Sequence, residues 1–247
     1  MLKYIKSKGG VSLTNVSPFY KCLNGTQIKI IALIAMTFDH IGFYLMGNYI
    51  PFRIIGRLAF PLFAFMISEG AKYTKNKLKY FLRIFILGII CQIFYTAFVG
   101  TFYLNILITL SLSILIIYSI DFYKKLNKRF AFLLPVSLCL TIVLSDYLLA
   151  NIIKPIGYHL DYSIIGVFIP VLIYLFKDYK HKLIATMVGL ILLSLSMNNL
   201  QFFCLLAIIP LILYNQRVGK YRLKWLFYLY YPLHLGIIYI INHIFVS

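Results

Sequence analysis

Asp39 and His40 are adjacent ionisable residues inside a long apolar stretch, residues 28–45, and Lys29 lies eleven residues before the histidine. Ionisable groups at membrane depth cost roughly a few kcal/mol each, so they usually have a partner or a task. A histidine can act as a general base when a partner fixes its tautomer. Because neighbouring helical residues point in different directions, Asp39 is not expected to orient His40 directly.

Two more ionisable residues lie near prolines in apolar stretches, Arg57 before Pro61 and His234 after Pro232. A proline within a helix removes a backbone hydrogen bond and can free a carbonyl. Arg57 is predicted to form an ion pair with Asp39, and an arginine there can also hold an anion or stabilise an oxyanion. The alternative is an interfacial arginine whose side chain extends outward to water.

Glu69 ends the second apolar stretch, with Lys72 three residues later and Arg83 in the next stretch. An interfacial ion pair with one of these cations is the simplest interpretation of Glu69. Counting about 1.5 Å per residue places His40 roughly 16 Å above Lys29. His234 falls at a similar depth in the last apolar stretch, so ionisable groups from three helices are predicted to meet at one level. A polar cluster that only locks helix packing is the alternative.

The composition is that of a membrane protein. The chain is 62% hydrophobic and 12% charged, whereas a soluble domain carries about 25% charged residues. The net charge of +18 is concentrated in every second connection between apolar runs, as the positive-inside rule requires. Nucleic acid is therefore not an expected partner, and the lipid bilayer is. The basic clusters are Lys3–Lys29, Lys72–Lys79, Lys124–Arg129, Lys177–Lys182 and Arg217–Lys224.

These features predict an all-α fold, a polytopic integral membrane bundle of about nine transmembrane helices (eight to ten) with a cytoplasmic N-terminus. Residues 1–27 are expected to form a cytoplasmic extension, and residues 28–247 the membrane domain. The four cysteines have no metal or redox spacing, so no metal is expected. The predicted spans are about 28–46, 54–70, 80–99, 104–120, 130–148, 162–176, 183–197, 201–214 and 225–245.

Two motifs together closely resemble the TraX family, whose founding activity is acetylation of the F-pilin N-terminus. They are Asp39-His40-Ile41-Gly42, preceded by Leu33 and Met36, and the segment from Gly56 to Phe65 followed by Glu69-Gly70. The similarity runs from about residue 28 to residue 240. The family in turn looks related to a wider set of transmembrane acyltransferases, which carry a basic residue and a functional histidine at the spacing of Lys29 and His40. Their late Tyr-Leu-x-His pattern is loosely matched by residues 231–234.

The resemblance implies an acetyltransferase of the bacterial cytoplasmic membrane. Acetyl-CoA, the co-substrate, would approach from the cytoplasm, with Lys29 and the basic loops meeting its phosphates. The acceptor would be an amine or hydroxyl of a pilin-like protein, a secreted peptide or an envelope sugar (glycan). On this interpretation the catalytic residues are His40, Asp39 and Arg57, and the cofactor-binding residues are Lys29, Glu69, His234 and Tyr231.

Two other functions are consistent with the residues alone. Ionisable groups near the midplane also suit a transporter or flippase of a small solute. A non-catalytic scaffold for pilus or peptide export would need the helices but no base. The oligomeric state is not predicted.

Overall fold

The computed structural model describes residues 5–7, 10–12, 21–126, 128–152, 157–220 and 223–245. Over these residues the chain is an all-α bundle. Its helices are α1 (Gly25–His40), α2 (Ile50–Gly56), α3 (Ala59–Tyr73), α4 (Lys77–Val99), α5 (Ile106–Leu126), α6 (Leu133–Ile152), α7 (Ser163–Leu175), α8 (Tyr179–Ser196), α9 (Ile208–Ile212) and α10 (Lys224–Phe245). A π-helical turn, Ile41–Leu45, continues α1, and a 3₁₀ helix, Asn199–Ala207, precedes α9.

Each of the nine predicted apolar spans coincides with helix in the described part of the chain. Among the described residues, five helical segments are long and apolar enough to cross a membrane, whereas 163–175 and 199–212 are apolar but shorter. The all-α bundle is therefore confirmed, its long apolar helices are those expected of a membrane protein, and nine membrane crossings with a cytoplasmic N-terminus stay a prediction. The five long segments are 25–45, 50–73, 77–97, 106–126 and 133–152.

The largest buried cluster of apolar side chains joins α1, α3, α7, α8 and the 3₁₀ helix. Its largest members with almost no exposed surface include Ile28, Phe60, Phe65, Ile169 and Leu190. By contrast, α6 is peripheral: it packs against α5, and Ile142 is its one buried residue. The apolar side chains that α6 leaves exposed would face lipid, which is a suitable environment for them in a bilayer.

Two short pairs of strands lie outside the helices, β1 (Ile5–Ser7) with β2 (Gly10–Ser12), antiparallel, and β3 (Tyr103–Leu104) with β4 (His159–Leu160), parallel. The second pair ties the α4–α5 connection to the start of α7. At the other end of the bundle, Lys182 of α8 contacts Glu69 of α3, and Lys77 of α4 contacts Asp121 of α5. We call this lysine-rich end the basic end, and the one with β3 and β4 the opposite end.

Local chemistry explains where the helices nearest to the candidate site begin and break. Asn24 caps α1, because its Oδ1 accepts from the backbone N–H groups of Thr26 and Gln27 at 3.0 and 3.1 Å. The predicted single span 54–70 is instead two helices that begin at Ile50 and break after Gly56. Pro61 has no N–H to donate to the carbonyl of Arg57, which accounts for the break at this position.

Candidate active site

His40 and His234 form a hydrogen-bonded pair between α1 and α10. The Nδ1 atom of His40 lies 2.8 Å from the Nε2 atom of His234, and the two rings are stacked with centroids 5.0 Å apart. His234 is buried, with 6% of its surface exposed, while His40 is partly exposed. The structure therefore brings together two of the residues that the sequence placed at one depth.

The hydrogen bonds of the pair determine which nitrogen of His40 is free. Nδ1 of His234 lies 2.8 Å from the carbonyl oxygen of Tyr230, and a carbonyl can only accept, so this nitrogen carries the hydrogen. In the neutral pair, Nε2 of His234 must then accept, and Nδ1 of His40 must donate. Nε2 of His40 is left with a lone pair, as a general base requires.

Neighbouring contacts fix the position of His234 relative to α1. The Tyr230 hydroxyl lies 2.6 Å from Thr37 Oγ1, which links α10 to α1 one turn before His40. The Tyr230 ring is stacked on His234 at 5.2 Å, and the Tyr231 ring meets His234 nearly edge to face at 5.6 Å. Both histidines also lie at irregular points of their helices, because α1 changes to a π-helical turn after His40 and α10 contains Pro232. Such π-helical turns are frequent at functional sites.

Asp39, next to His40, belongs to a group of side chains that we call the guanidinium cluster: Asp39, Arg53, Arg57 and Gln201. The predicted ion pair is confirmed, since Arg57 Nη2 donates to Asp39 Oδ1 at 3.0 Å. Arg53 Nη1 donates to Asp39 Oδ2 at 2.7 Å. Arg57 Nη1 also donates to Gln201 Oε1 at 3.0 Å. Gly56 allows this approach, because a Cβ at residue 56 would overlap the Asp39 side chain.

A cavity of about 160 Å³ leads from the basic end toward the histidine pair. Lys29 lies at one end, with its Nζ 5.6 Å from the centroid of the Phe227 ring, and Tyr231 lies at the other. Neither histidine lines this cavity. Met36, one helical turn before His40, does line it. Tyr231 lines it too and also packs against His234, so the Tyr231 ring stands between the cavity and His234.

A second cavity, of about 430 Å³, lies between α4 and α10 on the side of the opposite end. It is lined by Tyr44, Cys91, Tyr95 and Gly236 among mostly apolar neighbours. The Tyr44 ring lies 6.2 Å from the His40 ring, so this cavity approaches His40 through Tyr44. The histidine pair is thus flanked by two cavities that come from different ends of the bundle.

Glu69 is not in this group. It is buried in an ion pair with Lys182 of α8, at the basic end. The expected interfacial pair with Lys72 or Arg83 is therefore wrong, because the packing of α8 against α3 brings a buried lysine closer. Nor does Glu69 line the cavity that contains Lys29.

Three residues were missed by sequence reasoning: Arg53, Gln201 and Lys182. Arg53 lies just before residue 54, where the second span was predicted to begin, whereas the helix begins at Ile50. Lys182 was counted only as a topological charge. The RxxxR spacing of Arg53 and Arg57, which places both on one helical face, was a usable signal, whereas Gln201 had none.

Comparison with known proteins adds independent information about the chain. The model of the family described as TraX protein matches residues 24–242. The chain is 27% identical over 243 residues to the probable fimbrial assembly protein FimC, serogroup H1, of Dichelobacter nodosus, covering 86% of this chain and 93% of that protein. It is also 44% identical over 92 residues to an uncharacterized protein of Rickettsia prowazekii, covering 37% of this chain and 35% of that protein. No solved structure gives a significant match.

Proposed function

This chain belongs to the TraX protein family, and from that premise we propose that it is a membrane-embedded acetyltransferase of the bacterial cytoplasmic membrane. It would transfer the acetyl group of cytoplasmic acetyl-CoA to an amine or hydroxyl of a pilin-like protein, a secreted peptide or an envelope sugar. The observation that carries the proposal is the His40–His234 pair, whose hydrogen bonds leave the Nε2 lone pair of His40 free.

In the proposed reaction, His40 Nε2 accepts the proton of the acceptor as the acceptor attacks the acetyl carbonyl carbon. His40 then returns that proton to the departing thiolate, so the C–S bond breaks as the new C–N or C–O bond is completed. His234 is a positioning residue, because it accepts from His40 Nδ1–H and shares the positive charge that His40 gains. Proton transfer to or from a positioned side chain typically contributes a factor of ~10²–10⁴ to a rate.

The two cavities would serve as the two routes that the proposed reaction needs. The cavity with Lys29 opens toward the basic end, which would be the cytoplasmic end if the positive-inside rule holds here. A lysine at its mouth suits the phosphates of the donor, and the apolar walls suit its pantetheine arm. The Tyr231 ring must turn aside for the thioester to reach His40. The acceptor would approach from the other side, past Tyr44.

The test is transfer of radiolabelled acetyl from acetyl-CoA into envelope material by membranes that contain the protein. We expect His40→Ala to reduce incorporation by ~10²-fold or more, and His234→Phe to reduce it less, because the base remains but its tautomer is no longer fixed. His181→Ala is the matched control, since His181 is an exposed histidine at the start of α8, beside Asp178. It should leave incorporation unchanged.

Thermal unfolding of each purified variant shows whether the fold is intact. Undiminished labelling by folded His40→Ala would remove this residue from the mechanism. No labelling by the wild-type protein, with any envelope fraction, would favour a scaffold. Mass spectrometry of the labelled fraction would distinguish a peptide acceptor from a sugar.

A further inference from the structure

The second cavity, between α4 and α10, is built almost entirely from apolar side chains. Its volume of about 430 Å³ is within the range of about 300–1,000 Å³ that is typical of small-molecule sites. None of the described residues that line it is an aspartate, glutamate, lysine, arginine or histidine. Its polar side chains are Tyr44, Tyr95, Tyr239 and Asn242, besides the thiol of Cys91, and the Tyr44 hydroxyl is in hydrogen-bond contact with Tyr95. A ligand for this cavity must therefore be largely apolar.

The cavity opens sideways, toward the surface that would face lipid. Phe94 of α4 and Leu233 and Ile240 of α10 line it, and each of these residues is more than half exposed. Exposed apolar side chains on membrane helices are suited to hydrocarbon. At its inner side the cavity reaches Tyr44, whose ring lies 6.2 Å from the His40 ring. It thus forms a path from the lipid-facing surface toward the proposed base.

Gly236 creates part of the open space. It lines the cavity two residues after His234, and no atom lies within 4 Å of a Cβ built at this position. Gly88 of α4 is different, because a Cβ there would lie 3.0 Å from the side chain of Ile108, so close helix packing accounts for it. Glycine is a poorer helix former than alanine, and close packing does not account for Gly236. A side chain at this position would instead occupy space that is open to a ligand.

The shape of the cavity limits what can fill it. Pro232 and Asn242 mark its ends on α10, and the helix rises about 15 Å between them. A volume of about 430 Å³ spread over that length corresponds to a mean width of roughly 6 Å. An α-helix with its side chains is about 10–12 Å wide, so a helical peptide does not fit. Carbon atoms pack at about 3.5–4.0 Å, so one hydrocarbon chain does.

An extended peptide is also a poor fit, because its backbone would lack hydrogen-bond partners. A segment of that length contains about four or five residues at roughly 3.3 Å each, and each residue brings an N–H and a C=O group. The few polar side chains of the lining cannot satisfy so many groups. An unpaired peptide group in apolar surroundings is costly. A hydrocarbon chain has no such requirement, so the composition of the cavity favours it.

We propose that this cavity binds one hydrocarbon chain of the acceptor, and that the acceptor is a lipid carrying an amine or a hydroxyl. It enters from the bilayer between α4 and α10, its chain lies along Gly236, and its nucleophile reaches His40 past Tyr44. Gly236 is then a specificity-determining residue, because a side chain there reduces the space for the chain. An envelope sugar linked to a lipid belongs to this class. The identification of the acceptor rests on the proposed acetyl transfer, whereas binding of the chain does not.

The first test is photo-crosslinking with a dodecylamine probe that carries a diazirine in its chain. The purified protein is placed in phosphatidylcholine vesicles, whose own chains compete for any surface that is merely apolar. Mass spectrometry of the labelled peptides then locates the probe. We expect labels within residues 91–95 and 232–242. Excess unlabelled dodecylamine should displace them, whereas butylamine should not.

The decisive variant is Gly236→Leu, which fills part of the cavity. We expect labelling within the two segments to fall by ~10-fold or more, which is comparable to the penalty for one misfitting methylene group in an apolar pocket. Gly236→Ala should reduce labelling less, since it adds a single carbon. Ala97→Leu is the matched control, because Ala97 is an exposed residue of α4 outside the cavity lining. It should be labelled like the wild-type protein.

Acetyl transfer gives the second measurement. With dodecylamine as the acceptor, Gly236→Leu should raise the KM for the amine by ~10-fold or more and leave the KM for acetyl-CoA unchanged. A purely structural defect would change both values. Thermal unfolding shows whether the variant is folded. If Gly236→Leu does not fold, Gly236→Val, with its smaller side chain, takes its place.

Two results would overturn the proposal. One is labelling that misses the two segments, or that is unchanged in Gly236→Leu, as expected if bulk lipid alone meets the probe. The other is labelling of the same segments by a diazirine-bearing apolar peptide in preference to the dodecylamine probe, which would identify a peptide site. His40→Ala should abolish acetyl transfer and keep the labelling, so failure of this proposal and failure of the proposed function are distinguishable.

Discussion

The bundle buries charge in two places, and they are built differently. At the basic end, Glu69 and Lys182 form a pair of one anion and one cation, with 6% and 3% of their surfaces exposed. Toward the opposite end, the carboxylate of Asp39 faces two arginines, and the Nε atom of Arg53 has no hydrogen-bond partner among the described residues. The first group is complete by itself, which suits a structural role. The second shares one carboxylate between two arginines and includes Asp39, the neighbour of His40, which suits a role beside the proposed base.

The largest effect should come from breaking the complete pair. Lys182→Met removes the cation that contacts the buried Glu69 carboxylate, and the free energy of unfolding should fall by about 3–5 kcal/mol. Denaturant titration of the purified protein measures this. The double variant Glu69→Leu, Lys182→Met should recover most of the loss, because an apolar pair replaces the ions. Equal losses in the single and double variants would show that something other than the lone charge is responsible.

A smaller effect on stability, with a larger effect on activity, is expected for Gly56→Ala. The added methyl group would overlap the Asp39 side chain, and overpacking of this kind costs about 1–3 kcal/mol. His40 is the next residue of the same helix, so a shift of Asp39 is expected to move the His40 backbone, and acetyl transfer should fall more than the folded fraction does. Gly236→Ala is the control for stability, since nothing lies within 4 Å of a Cβ there, and it should not lower the free energy of unfolding. Full activity in Gly56→Ala would show that Asp39 does not position the base.

The smallest loss of stability is expected for Arg53→Met. Asp39 keeps Arg57 as its partner, and the unpartnered Nε of Arg53 is removed, so the free energy of unfolding should change by only about 1 kcal/mol. The same denaturant titration compares this value with that of Lys182→Met. A loss as large as that of Lys182→Met would mean that the two groups do not differ, and that Arg53 is mainly structural.

The sequence predicted the helices well, because apolar runs at membrane depth have few alternatives to helix. Depth counting also predicted that His40 and His234 would lie at one level, since a fixed rise per residue converts sequence position into height. Depth counting could not predict which helices lie side by side in the bundle. Glu69 was assigned to Lys72 or Arg83, and its partner is Lys182, because packing of α8 against α3 depends on tertiary contacts that periodicity does not encode.

The polar partners of Asp39 show the same limit at a finer scale. The pair with Arg57 followed from two charges that would otherwise be isolated in apolar helices. Arg53 was hidden by a helix start placed four residues too late. Gln201 was hidden because an amide side chain in an apolar segment is common helix glue, and nothing in its immediate sequence distinguishes it.

Tyr231 borders the cavity with Lys29 on one side and packs against His234 on the other. In the proposed reaction a single aromatic ring therefore controls timing, because the thioester cannot arrive until that ring swings away. When the ring moves, His234 loses one of its packing contacts. The surroundings of the His40–His234 pair therefore change as the donor enters. The rotamer of Tyr231 would then set the order in which the substrates bind. The same ring would protect the thioester from hydrolysis without a separate lid.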